Sequence, residues 1–170
     1  MPSYPVNKIS TPDEQINILQ ITDLHLSTPV AADIDSSGYN DAGNCQRSFE
    51  TVLQQALSED IRCDLIIVTG DLVNKVRLAT YDHIFAVLQA TQIPFVCIAG
   101  NHDVTDEDGE HLPFFQRSLV AQPADSRLLS RHRIEGDHWQ LLLLDSSITG
   151  KVAGEITTTD IDWLCECLDA

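Results

Sequence analysis

Two hydrophobic periods alternate along this chain. Ile16-Asn17-Ile18-Leu19-Gln20-Ile21-Thr22 is mostly apolar and β-branched, which predicts a strand. From Asn44, the expected N-cap, to about Glu59 the period becomes helical. Phe49, Val52, Leu53, Ala56 and Leu57 fall at i, i+3, i+4, i+7 and i+8, a single apolar stripe. Leu65-Ile66-Ile67-Val68-Thr69 is a short unbroken apolar run, the pattern of a strand covered on both faces. Tyr81, Ile84, Phe85 and Leu88 return to helical spacing, and Pro94-Phe95-Val96-Cys97-Ile98-Ala99 predicts a third buried strand. Strand, helix, strand, helix, strand implies parallel strands joined by right-handed crossovers, so residues 16–99 form an α/β layer.

The pattern loosens afterwards. His111–Val120 fits a short helix. The stretch Arg127–Ile134 leads into Glu135-Gly136-Asp137 and then Trp139–Asp145, which predicts a β-hairpin. Thr157-Thr158-Thr159-Asp160 has the spacing of a capping box, opening a last helix with Ile161, Leu164 and Leu168 on one side. Residues 1–15, which contain three prolines, are expected to be a flexible lead-in to one domain over 16–170. Ser27–Gly43, with Asp33, Asp35 and Asp41, is expected to be an acidic loop.

Composition narrows the classes. At 170 residues with 43% hydrophobic and 21% charged side chains, the chain suits one globular domain with a real core. Ten Lys+Arg against 26 Asp+Glu give a net charge of −16. Such a chain repels nucleic-acid backbones and anionic membranes, and no Lys/Arg track offsets this, so neither is expected as a partner. Apolar runs such as Leu141–Leu144 are far short of a membrane span, and the start shows no basic-then-apolar leader. Five cysteines, an odd number, fit free thiols in a cytoplasmic protein. Cys165 and Cys167 diverge around a helix axis and are read as packing residues, and Trp139 and Trp163 as core.

Three polar clusters carry the chemistry, because each directly follows a predicted strand. They are Asp23-Leu24-His25, Gly70-Asp71 and Gly100-Asn101-His102-Asp103. In an open parallel sheet the carboxyl ends of neighbouring strands lie along one edge, where ligands bind. The clusters offer oxygen from Asp23, Asp71 and Asn101 and imidazole nitrogen from His25, without thiolate, a set suited to Mn, Fe or Zn. On extended backbone Asp23 and His25 would point the same way, and Gly70 and Gly100 would permit the turns that present the next residue. A carboxylate such as Asp71 can bridge two ions, and a two-metal site clamps the attacking and leaving oxygens of a phosphoryl transfer.

Ile18–Ser27 (ILQITDLHLS), Asp64–Val73 (DLIIVTGDLV) and Gly100–Asp103 (GNHD) together resemble the calcineurin-like metallophosphoesterase superfamily. With Trp139–Ser146, Gly154-Glu155 and Trp163-Leu164, the chain is similar to bacterial class III 3′,5′-cyclic AMP phosphodiesterases over about Ile16 to Leu168. The resemblance implies an α/β fold of layered sheets with flanking helices. It implies metal-dependent hydrolysis of a cyclic nucleotide by a metal-bound hydroxide, with two divalent ions, Fe or Mn. Asp23 and His25 would bind the first ion, Asp71 would bridge, and Asn101 would bind the second. His102 would sit beside the scissile phosphate, as proton donor to the leaving oxygen or as a stabiliser of its charge, oriented by Asp103. Other branches of the superfamily act on DNA or on phosphoproteins, and the charge argues against the first.

The family pattern ends with further histidines, including Gly-His-x-His, which this sequence lacks. Of its six histidines, His83, His111, His132 and His138 are expected at surface or loop positions rather than as replacements. The chain is therefore expected to be an N-terminal portion of the family domain, and an impaired remnant that binds metal or a partner weakly is the alternative to an active enzyme. The Leu141–Leu144 strand would then show an unpaired edge, open to self-association.

Overall fold

The computed structural model describes residues 6–11, 15–27, 41–58, 62–104, 127–128 and 133–169. Three strands, β2 (Ile18–Ile21), β3 (Leu65–Thr69) and β4 (Phe95–Ile98), form a parallel sheet in the order β2-β3-β4. Ile18 stands opposite Leu65, and Ile66 opposite Phe95. Helices α1 (Asp41–Ser58) and α2 (Leu78–Ala90) form the crossovers, as the alternating periods require. A second sheet holds β1 (Val6–Lys8), β5 (Arg133–Glu135) and β6 (Gln140–Leu142) in the order β1-β5-β6. There β1 runs parallel to β5, and β5 and β6 form the expected antiparallel hairpin. Helix α3 (Thr158–Leu168) closes the described chain.

The central strand explains its own composition. Ile66 and Val68 enter a core with Phe49 and Leu53 of α1 and the stripe of α2. Leu65 and Ile67 face the other way, onto Ile134 of β5 and Leu143 just past β6. A strand pressed between helices and a sheet has no wet face, hence no alternation. All four stripe residues of α2, Tyr81, Ile84, Phe85 and Leu88, are buried. The Phe85 ring lies 6.3 Å from both Tyr81 and Phe95.

Several expectations change. Helix α1 starts at Asp41, so Asn44 lies inside it and is not its cap. Val52, placed on the α1 stripe, is 65% exposed. It sits at one margin of that stripe and lines a cavity with Leu19, Gln20 and Ile21 of β2, an edge strand. The lead-in carries β1, which pairs with β5 and continues with Ile9 N–H donating to the Glu135 carbonyl at 2.9 Å. Val-Asn-Lys has no strand signature of its own, and long-range pairing makes it one. On α3, Ile161 and Leu168 are 50% and 69% exposed, and Cys167 is the buried residue. A stripe marks which face a helix would bury, not whether a partner is present to cover it. The α3 cap is as expected: Asp160 N–H donates to Thr157 Oγ1 at 3.2 Å, and Thr157 N–H donates to Asp160 Oδ2 at 2.9 Å. All five cysteines are free thiols. The helix expected at 111–120, His111, His132 and most of the acidic loop lie outside the described residues.

Candidate metal centre

The ladder between β2 and β3 does not stop where the strands do. Asp23 N–H donates to the Gly70 carbonyl at 3.2 Å, His25 N–H to Asp71 at 2.9 Å and Leu26 N–H to Leu72 at 3.1 Å. Asn74 N–H donates back to Leu26 at 2.9 Å. The two loops therefore run side by side as far as a parallel bridge between Leu26 and Val73. Leu26, Leu72 and Val73 are buried and anchor them. The Asp23–His25 segment is not the extended backbone expected from its spacing. Asp23, His25 and Asp71 adopt φ values of 54°, 44° and 51°, in the left-handed region. Three of the four non-glycine residues with positive φ among the described residues are thus candidate ligands. Such strain concentrates where surrounding structure enforces it, often at functional sites.

The two glycines serve different needs. Gly70 has φ of 101°, which favours glycine. Gly100 has φ of −106°, so its backbone asks for no glycine; instead, a Cβ there would run into the Asp71 amide and carboxylate. Absence of a side chain at Gly100 lets the third loop approach the second. Across that contact His102 N–H donates to Asp71 Oδ1 at 2.9 Å. The other oxygen, Oδ2, lies 3.8 Å from His25 Nε2, and Asp23 Oδ1 lies 3.7 Å from that same nitrogen. The carboxylates of positions 23 and 71 thus flank one imidazole. Asp23, the more exposed, also accepts a 2.6 Å hydrogen bond from the Thr22 hydroxyl. The His102 ring stands edge-on to His25, 4.6 Å between centroids at 89°, with Nδ1 3.2 Å from the Asn74 carbonyl. Asp23, Asp71 and Asn101 line a cavity of about 250 Å³, whose far wall includes Ser146 and Gly154 from the segment after β6.

Asp103 departs from its expected part. Its carboxylate makes no hydrogen bond to the His102 ring. It is fully buried and accepts from Gly100 N–H at 2.9 Å, Leu72 N–H at 3.2 Å and the Tyr81 hydroxyl at 2.9 Å. Neighbours in a tight 3₁₀ turn point in different directions, so Asp103 enters the core while the Asn74 carbonyl meets His102. Burial pushes the Asp103 carboxyl above its ordinary value despite those donors, and the Asp71 charge adds to the rise. Burial, then Asp103, pushes the Tyr81 phenol up as well. Tyr81 is a site-supporting residue that periodicity hides, since it occupies a core position on α2. Its hydroxyl on an otherwise apolar stripe was the one signal. Of the other histidines, His83 pairs with Glu50 at 3.1 Å, and His138 is exposed.

Oxygen and imidazole donors without thiolate suit a hard-to-borderline divalent ion. Among the described residues, His25, Asp71 and His102 have ligand atoms all within 4.8 Å of one another. No helix among the described residues is long and apolar enough to cross a membrane.

Residues 16–164 match the model of the calcineurin-like phosphoesterase family, and the chain belongs to that family. It is 68% identical over 168 residues to a probable cyclic nucleotide phosphodiesterase of Psychrobacter arcticus, covering 99% of this chain and 60% of that protein. It is 39% identical over 161 residues to a probable cyclic nucleotide phosphodiesterase of Moraxella catarrhalis, covering 93% of this chain and 54% of the relative. Against the 3′,5′-cyclic adenosine monophosphate phosphodiesterase CpdA of Haemophilus influenzae the identity is 33% over 153 residues, covering 90% and 50%. The chain therefore spans between 50% and 60% of the length of these relatives. The resemblance read from the three motifs holds at the level of both family and relatives.

Proposed function

We propose that this chain carries the metal-binding half of a cytoplasmic phosphodiesterase acting on a 3′,5′-cyclic nucleotide, cyclic AMP or a close relative. One observation supports this most: loops following three parallel strands gather Asp23, His25, Asp71, Asn101 and His102 around one sheet edge. The charge of −16 supports it too, because an anionic phosphodiester approaches so acidic a chain only where bound cations reverse the field.

In this reading Asp23 and His25 hold one divalent ion, Asp71 is shared and Asn101 holds a second, with Fe or Mn as the metals. Such ions supply Lewis-acid polarisation of phosphoryl oxygens and make hydroxide available near neutral pH. The remaining work falls to the chain. Asp71 fixes the third loop through Oδ1 and keeps Oδ2 for coordination. His102 sits beside the scissile phosphate and gives a proton to the leaving oxygen, held by the Asn74 carbonyl. Asp103 acts on loop backbone and not on the imidazole. Among the described residues β6 ends the second sheet, and that edge is the route by which copies would self-associate.

The test is hydrolysis of bis(p-nitrophenyl) phosphate and cyclic AMP by the purified chain with Mn²⁺. Turnover that disappears in Asp71→Ala is the expected result. Metal-dependent turnover surviving that change would reject the assigned site, whereas metal binding without turnover would favour a non-catalytic metal-binding domain.

A further inference from the structure

The two edges of the parallel sheet are finished differently. Beyond β4, Phe95 N–H donates to the Arg127 carbonyl at 2.9 Å and Leu128 forms a parallel bridge with Phe95, so that edge is covered. Beyond β2 no such partner stands among the described residues. The Asn17 carbonyl accepts from Asp64 and the Asp23 amide donates to Gly70, the residues flanking β3. Alternation along the strand therefore turns the main-chain groups of Ile18 and Gln20 outward. Proteins blunt a free edge with charge, proline or a bulge. Ile18-Leu19-Gln20-Ile21 has neither charge nor proline, in a chain with 21% charged residues.

Beside that edge lies a groove. Leu19 and Ile21 of β2, with Phe49, Val52, Leu53 and Ala56 of α1, line a mainly apolar cavity of about 480 Å³. On its rim Val52 is 65% exposed, and Ile18 at the edge is 39% exposed. An extended strand satisfies both features at once: its main chain completes the ladder, and alternate side chains enter the groove. A small apolar molecule would leave the outward main-chain groups unpaired. A second copy would bring a β2 whose Leu19 and Ile21 already pack into its own core, together with another charge of −16. The relatives indicate the source. The Psychrobacter arcticus and Haemophilus influenzae proteins are matched over 60% and 50% of their lengths, so each carries polypeptide with no counterpart in these 170 residues.

We infer that the outer edge of β2 and the groove between β2 and α1 take up an added β-strand, apolar at alternate positions, from the portion of the domain that these relatives carry outside the matched stretch. Neither metal binding nor catalysis enters into this docking.

Amide hydrogen exchange of unaltered proteins, read by NMR, tests it. In the 170-residue chain alone, Ile18 and Gln20 should exchange quickly, and Leu19 and Ile21, turned toward β3, slowly. In the intact Psychrobacter arcticus relative, the amides aligned with Ile18 and Gln20 should exchange at least about tenfold more slowly than in this chain. Equal rates in the two proteins overturn the inference. Slow exchange in this chain alone that deepens with its concentration also overturns it, by identifying a second copy as the occupant. A second measurement locates the groove. Tagged chain co-expressed with the unmatched portion of that relative should retain it on an affinity column. Val52→Glu, at an exposed position, should lower the amount retained at least about tenfold, while Ile161→Glu, on the exposed side of α3, stays within about twofold. Circular dichroism confirms that both variants fold. Retention of none by the unaltered chain, undiminished retention by Val52→Glu, or equal loss in the two variants overturns the inference.

Discussion

Strand β3 has an aspartate near each end, and the two are used in opposite ways. Asp64, at the start, has both oxygens engaged. Arg62 pairs with Oδ1 at 2.7 Å and with Oδ2 at 3.2 Å, and Asn17 donates to Oδ2 from its backbone at 2.9 Å and its amide at 3.2 Å. Asp71, just past the end, has one oxygen fixed by backbone and the other turned toward His25. A carboxylate saturated by its own chain serves the fold, and one left half-coordinated has capacity for a ligand. Burial pushes the Asp64 carboxyl up. Hydrogen bonds from Asn17 and Arg62, with the Arg62 charge, outweigh that effect and hold it below its ordinary 3.8.

Four substitutions sharpen or break this contrast. Asp64→Ala is expected to cost about 3 kcal/mol in chemical denaturation, because hydrogen bonds to charged groups contribute about 1.5–3 kcal/mol each. It should leave Co²⁺ affinity unchanged, and a loss of affinity would erase the distinction between the ends. Its pH dependence follows from the same bonds. A group whose folded value is depressed contributes stability above its unfolded value and loses it as pH falls through the folded one. Unaltered protein should therefore lose stability below about pH 4, and the Asp64→Ala profile should be flatter there.

Gly100→Ala should cost about 2 kcal/mol by overpacking and weaken Co²⁺ binding sharply, since the new Cβ meets Asp71 itself. Tyr81→Phe should cost about 1 kcal/mol by depriving buried Asp103 of a donor. It should weaken Co²⁺ binding a few-fold, because Asp103 ties the loops bearing Asp71 and His102 to each other. Thermal shifts with and without Co²⁺ separate the two effects. Thr157→Ala removes the α3 cap and should cost about 0.5 kcal/mol, with metal binding intact.

The same two ends show what a sequence discloses. Strand β3 and the α2 stripe were legible because burial on both faces leaves an unbroken apolar run and burial on one face imposes a period. The motif loops were legible by position, since each follows a strand. Their backbone path was not: nothing in Asp-Leu-His distinguishes extended chain from left-handed turns enforced by a neighbouring loop. The part played by Asp103 was hidden because adjacency in sequence suggests adjacency of side chains, which a 3₁₀ turn denies. Ile161 and Leu168 mark the opposite failure, where a helical stripe was correct in spacing and uncovered in space.

The left-handed backbone at Asp23, His25 and Asp71 has one more consequence. Asp and His are among the few non-glycine residues that occupy this region with any ease. Donor chemistry and main-chain path therefore select the same residue types. Alanine at these positions would disturb both at once. Asparagine, equally at home in that conformation, would remove the charge at Asp23 or Asp71 and leave the path alone.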